Sequence, residues 1–142
     1  MREVFFSHAS QDHVKASQLR DRLVLHGVQV WFAPRHIKGA QQWQDKIGAA
    51  LARCDWFMVA LTPAAIQSMW VRRELQYALM EKRYQERIIP LLFKECDPGE
   101  LSWTLPQFQI IDFTKDGEKA CEQLLRIWKI PLKKQVRKKP RN

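Results

Sequence analysis

Trp56-Phe57-Met58-Val59-Ala60-Leu61 is an unbroken apolar run in a chain of 142 residues. Successive side chains of a strand point to opposite faces, so a strand with one wet face alternates apolar and polar residues. A run apolar at every position is a strand buried on both sides. That condition is met where helices cover both faces of a parallel sheet. At six residues the run falls far short of a bilayer span, as does 88–93.

The rest of the chain fits that architecture. Val4-Phe5-Phe6 reads as a short strand, and residues 13–26 carry Ala16, Leu19 and Leu23 at helical spacing before Gly27 ends the helix. Val28 to Phe32 reads as a second strand. Ala33 to Gln42, with Pro34 and Gly39, reads as a loop, and a helix follows with Trp43, Ile47, Ala50 and Leu51 on one face. After the apolar run, Thr62-Pro63 opens a turn into one long helix over about 64–86. Ile88 to Phe93 reads as a fourth strand, near an edge or locally irregular because Pro90 lacks a ladder donor. Residues 94–106 read as an irregular connection and Phe108 to Phe113 as a fifth strand. A last helix spans Gly117 to Trp128, with Ala120, Leu124 and Ile127 or Trp128 inward, and Pro131 stops it.

Strands alternating with helices give a parallel sheet with right-handed crossovers. The expected fold is α/β, flavodoxin-like and three-layered, with five parallel strands in the order 2-1-3-4-5 flanked by helices. Its winding reverses between strands 1 and 3, where ligands of such folds bind beyond the carboxyl ends. Residues 1–130 make one domain and 131–142 a basic tail.

The net charge of +9 belongs mostly to that tail. From Lys129 onward seven basic residues and no acidic one occur, which leaves +2 on residues 1–128. The tail is read as a solvated end rather than as an anchor for nucleic acid or an anionic membrane, since no aromatic residue interleaves it after Trp128. Cys54, Cys96 and Cys121 have no paired spacing, and no secretory pattern opens the chain; reduced thiols in a cytoplasmic setting are expected.

Helical spacing places Trp70 and Glu74 one turn apart on the same face, just beyond the apolar strand. An aromatic plane beside a carboxylate suits a flat base and a sugar cation. Alone, each residue has a plainer reading: an isolated helical glutamate is usually solvated, and a tryptophan is more often core. Arg72 and Arg73 fit a charged face, and Arg35 fits either a phosphate clamp or a loop charge. Ser7 and His8 point to opposite faces of their strand, which argues against a Ser–His dyad. Neither Gly-x-Gly-x-x-Gly nor a P-loop is present.

Together these segments resemble the TIR (Toll/interleukin-1 receptor) family. Val4 to Asp12 looks like its opening strand and loop, and Val30-Trp31-Phe32-Ala33-Pro34-Arg35-His36-Ile37-Lys38-Gly39 with Trp43 and Ile47 looks like its second strand and BB loop. Ser68-x-Trp70-x-x-x-Glu74-Leu75 is similar to its active-site helix. Ile89-Pro90 and the segment Leu105 to Phe113 continue the match, which spans about residues 1–128. His36 stands where bacterial relatives commonly have aspartate, and Gly39 lacks the frequent preceding proline.

The resemblance implies an NAD⁺ nucleosidase that gives nicotinamide and ADP-ribose or a cyclic isomer, in bacterial antiphage immunity. It implies Glu74 as the catalytic residue and Phe6, Ser7, His8, Arg35, Trp43 and Trp70 as substrate-binding, with NAD⁺ as substrate and no cofactor or metal. It also implies self-association through the BB loop, residues 33–42, and a separate sensor or effector protein. The alternative is a non-enzymatic interaction module.

Overall fold

The computed structural model describes residues 2–33 and 40–133, with the side chains of 40–44 excepted. Its elements are β1 (Glu3–Ser7), α1 (His13–Leu25), β2 (Gln29–Phe32), α2 (Ala40–Arg53), β3 (Trp56–Leu61), α3 (Pro63–Gln67), α4 (Met69–Met80), β4 (Ile88–Leu92), α5 (Pro98–Leu101), β5 (Ile111–Asp112) and α6 (Gly117–Ile127). Short 3₁₀ turns occupy Ser10–Asp12, Lys82–Tyr84 and Leu105–Gln107. The sheet has five strands in the order β2-β1-β3-β4-β5, every pairing parallel, as the alternating pattern predicts.

The apolar run of β3 divides residue by residue between two cores. Phe57, Val59 and Leu61 join Phe5, Ile47, Leu51, Val71, Leu75 and Tyr84 on the face covered by α2, α3 and α4. Met58 and Ala60 join Val4, Phe6, Leu19, Leu23, Leu124 and Trp128 on the face covered by α1 and α6. Each strand position therefore has a helix above or below it, and no position tolerates a polar side chain without a partner. Of the two candidates at the end of α6, Trp128 is the buried one and Ile127 is exposed. Tyr84, fully buried, donates its hydroxyl to the Leu51 and Cys54 carbonyls and pins the end of α2 beneath the sheet.

Three elements differ from expectation. The helix expected over 64–86 is two helices and a 3₁₀ turn. Ser68 adopts extended angles (φ −83°, ψ 118°) and caps α4 by accepting the Val71 N–H at 3.2 Å, so the helix axis restarts there. Glu81, also extended, ends α4. The fifth strand is only Ile111–Asp112, because the turn at Leu105–Gln107 holds the preceding chain off the sheet (Phe108 N–H to Leu105 O, 3.0 Å). The loop after β2 is shorter than expected, since α2 begins at Ala40.

Pro90 sits in β4, next to the edge strand. The Phe57 N–H donates to Arg87 O and the Phe93 N–H to Leu61 O, so odd-numbered residues of β4 bond to β3. Pro90 therefore turns its missing donor toward β5, where pairing begins only at Leu91. A proline is tolerated there for that reason.

Two helices end in the same left-handed motif with different residues. After α1, the Val28 N–H reaches Leu23 O and the Gly27 N–H reaches Val24 O, both at 3.0 Å, with Gly27 at φ 81°. After α6, the Ile130 N–H reaches Leu125 O and the Lys129 N–H reaches Arg126 O, with Lys129 at φ 58°. A Cβ at Gly27 would meet nothing within 4 Å, so its cost is conformational alone. Gly27→Ala is expected to destabilise the fold by about 1 kcal/mol, and Lys129→Gly to stabilise it by about 0.5–1 kcal/mol. Thermal melts of both variants check the pair; shifts of the same sign would contradict the account.

Cys54, Cys96 and Cys121 are free thiols. Burial pushes Cys54 up to about 12 from an ordinary 9.0, with smaller effects in the same direction at Cys121 and Cys96. A thiol raised on folding contributes stability that is complete below the unfolded value and disappears as pH climbs toward the folded one. The denaturation midpoint is therefore expected to fall between about pH 9 and pH 12. A midpoint constant over that window would show that these burial effects are absent. Among the described residues, no helix is long and apolar enough to cross a membrane.

Candidate functional site

α4 buries Val71, Glu74, Leu75 and Ala78, the i, i+3, i+4, i+7 stripe of an amphipathic helix. Glu74 thus takes a core position and is 0% exposed. A carboxyl group withdrawn from water is costly without hydrogen-bond partners. One partner comes from β1: Ser7 Oγ donates to Glu74 Oε1 at 2.7 Å, across 67 residues of sequence. Ser7 is also 0% exposed, is the last residue of β1 and pairs with Val59 of β3. The two meet where the sheet reverses its winding, between β1 and β3.

Strand alternation sorts the remaining residues. Phe6 and His8 leave β1 on the other face. Phe6 is fully buried in the α1/α6 core, and the His8 ring lies 4.7 Å from Phe32 and 5.4 Å from His13, with His8 Nε2 and His13 Nδ1 3.2 Å apart. Ser7 and Glu74 therefore come together while Phe6 and His8 do not join them. Trp70, in the first turn of α4, is half-buried against the same core as Glu74's neighbours, and the Arg73 guanidinium lies 6.0 Å from its ring centre. Arg35 and most of the 33–42 segment lie outside the described residues, as does the side chain of Trp43.

Two further features support this corner and escaped the sequence reading. Thr62, following β3, donates its hydroxyl to Asp12 Oδ2 at 2.5 Å and accepts the Ala65 N–H at 3.0 Å, so one buried side chain both caps α3 and ties it to the turn after β1. Thr-Pro after a strand is a legible cap signal; the Asp12 partner, 50 residues away, is not. Arg72 is no part of a solvated charge face. Its guanidinium donates to the carbonyls of Ile66 (3.0 Å), Leu101 (3.4 Å) and Glu100 (3.2 Å), binding α3, α4 and α5 together. The groove of about 1140 Å³ on the flank of α4, lined by Leu75, Leu79, Met80, Trp103 and Phe108, contains neither Ser7 nor Glu74. Volume alone would misplace the chemistry; the buried carboxyl at the winding reversal is the stronger indicator.

These features define a doubly wound α/β domain with a carboxyl group buried at its winding reversal. Residues 4–125 match the sequence profile described as TIR domain, and the chain belongs to the TIR family. The fold is similar to the TIR domain of the Toll-related receptor TRR-2 from Hydra magnipapillata (TM-score 0.71, 18% identity, covering 87% of this chain and 95% of that one). It is similar to the TIR domains in the activated Roq1 resistosome that recognises the pathogen effector XopQ (TM-score 0.66, 15% identity, 90% and 99%). A CMP N-glycosidase from Clostridium botulinum, BcmB, also shares the fold (TM-score 0.56, 21% identity, 89% and 99%). No curated protein matches the chain in sequence.

Proposed function

We propose that this domain cleaves NAD⁺ at the nicotinamide–ribose bond, with Glu74 as the catalytic residue. The observation that carries the reading is a glutamate on the buried stripe of α4, held by Ser7 at the winding reversal. A purely structural core position is cheaper to fill with an aliphatic side chain. Similarity to an N-glycosidase of the same fold supports N-glycosidic chemistry as a class.

One carboxylate suffices for this reaction. Ordinary glycosidases need a second because the leaving oxygen must be protonated. Nicotinamide departs from a pyridinium as a neutral molecule, so no general acid is required. What remains is to steady the developing oxocarbenium ion and hold the ribose, and a carboxylate beneath the sugar does both. The Ser7 hydroxyl already occupies one acceptor position of Glu74, the place a ribose hydroxyl would take. Trp70 supplies the aromatic plane for the base, with Ser7, Arg35 and Trp43 as the remaining substrate-binding candidates, while Phe6 and His8 stay on the α1 side of the sheet. Exclusion of water around the buried Glu74 favours cyclisation or base exchange over hydrolysis.

Self-association through residues 33–42, a separate sensor or effector protein, and a cytoplasmic antiphage role complete the proposal. Complete enclosure of Glu74 in the single chain favours a second reading, a non-enzymatic docking module. Incubating concentrated protein with NAD⁺ and following nicotinamide release by mass separates the two. Absence of turnover under every assembly condition selects the module.

A further inference from the structure

We propose that the end of the domain opposite Glu74 docks on an anionic membrane surface. All five strands are parallel, so their amino ends gather on one side of the molecule. That side collects Arg2 before β1, Arg53 closing α2, Lys82, Arg83 and Arg87 before β4, and Lys129 and Lys133 after α6, all exposed. Against these seven cations stand four carboxylates, Glu3, Asp55, Glu81 and Glu86. Glu3 and Arg53 pair with each other at 3.0 Å, which leaves six cations against three carboxylates. The connection from Phe93 to Lys119, which follows β4 and carries β5, has the reverse balance, six carboxylates and three lysines. The amino end thus carries +3 and that connection −3, with Lys129 and Lys133 supplying two of the three positive charges.

Charge alone does not distinguish a lipid surface from a nucleic acid. Exposed aliphatic side chains do. α1, α4 and α6 each run back to the amino end of the sheet, and each ends there in an exposed apolar residue: Leu25 (74%, with Val24 beside it), Met80 (87%) and Ile127 (37%). Phosphate recognition has no use for such groups, whereas an interfacial protein sinks them into the boundary between headgroups and acyl chains while its cations meet anionic headgroups. The folded chain also remains attached to this side at its far end, since the Lys133 N–H donates to His26 Nε2 at 3.0 Å. Docked this way, the end of the sheet that bears Ser7 and Glu74 faces away from the membrane. The inference does not depend on what Glu74 does.

The test uses the full chain and cosedimentation with phosphatidylcholine vesicles, with and without about 30% phosphatidylserine, at about 0.1 M and 0.5 M salt. Binding is expected only to the anionic vesicles, with most of it lost at the higher salt. Lys82→Glu/Arg83→Glu should weaken binding by about tenfold or more, each lysine or arginine near such a surface contributing a comparable factor. Leu25→Ser/Met80→Ser should weaken it several-fold with the salt dependence unchanged, and melting curves confirm that both variants are folded. Replacing Lys134, Arg137, Lys138, Lys139 and Arg141 by Gln should leave the effect of the Lys82/Arg83 pair intact. Three results would overturn the proposal: no binding to anionic vesicles, wild-type binding by the Lys82/Arg83 and Leu25/Met80 variants, or duplex DNA bound at least as tightly as the vesicles and insensitive to the Leu25/Met80 change.

Discussion

Glu74→Gln is expected to cut nicotinamide release from NAD⁺ by a factor of about 10² to 10³ or more, the scale on which a group that stabilises transition-state charge is missed. The substitution is chosen for its shape. Glutamine fills the same volume on the buried stripe of α4, and its side-chain carbonyl still accepts from Ser7 Oγ, so the 2.7 Å contact has a counterpart. It lacks the negative charge that a developing oxocarbenium ion needs beneath it. Stability supplies the independent readout. A buried carboxyl retained for chemistry is a cost to the fold, so Glu74→Gln should melt at or above the wild-type temperature. A glutamate kept for structure predicts the opposite, a loss of about 1–3 kcal/mol with an imperfect partner for Ser7. Undiminished turnover in the variant would falsify the catalytic assignment outright. Loss of activity together with a lower melting temperature would leave Glu74 as a structural residue only.

Thr62→Val is expected to produce the largest loss of stability among the substitutions considered, about 2–4 kcal/mol, combining a lost helix cap with a lost hydrogen bond to a buried carboxyl. Valine has nearly the same volume and suits the extended angles at this position (φ −147°, ψ 165°), so packing is preserved and the polar loss is isolated. Two groups are orphaned at once, the Ala65 N–H and Asp12 Oδ2. Both lie in the interior, where water cannot replace the hydroxyl. Thr62→Ser, which keeps the oxygen, should retain most of the stability. Chemical denaturation of the three proteins decides the matter: equal midpoints for valine and threonine would mean that the Asp12–Thr62 contact contributes nothing to the fold.

The two substitutions sit on either side of one question, how a polar residue comes to be legible in sequence. Glu74 was legible in part. Val71, Leu75 and Ala78 trace an apolar stripe, and a glutamate three residues after Val71 falls on it by periodicity. Ser7 was less so, because strand alternation says only that Ser7 and His8 take opposite faces, not which face meets α4. Phe6 and His8 stand on the α1 side for that reason, although they neighbour Ser7 in the chain. The break at Ser68 was written in the residues as a cap signal, yet helical periodicity continues through it and conceals it. The brevity of β5 was not written at all. Its residues have strand character, and it is the turn at Leu105–Gln107 that keeps Phe108 to Ile110 off the ladder.

The order of apolar and polar residues was enough to specify five strands alternating with helices and hence a parallel sheet, because period and burial are local properties that each segment carries within itself. The bond between Ser7 and Glu74, the tie between Asp12 and Thr62, the anchoring of Arg72 and the gathering of cations beside Leu25 and Met80 exist only in the folded chain. Each joins residues from different segments, and that proximity is set by how strands and helices pack, which no single stretch of sequence encodes.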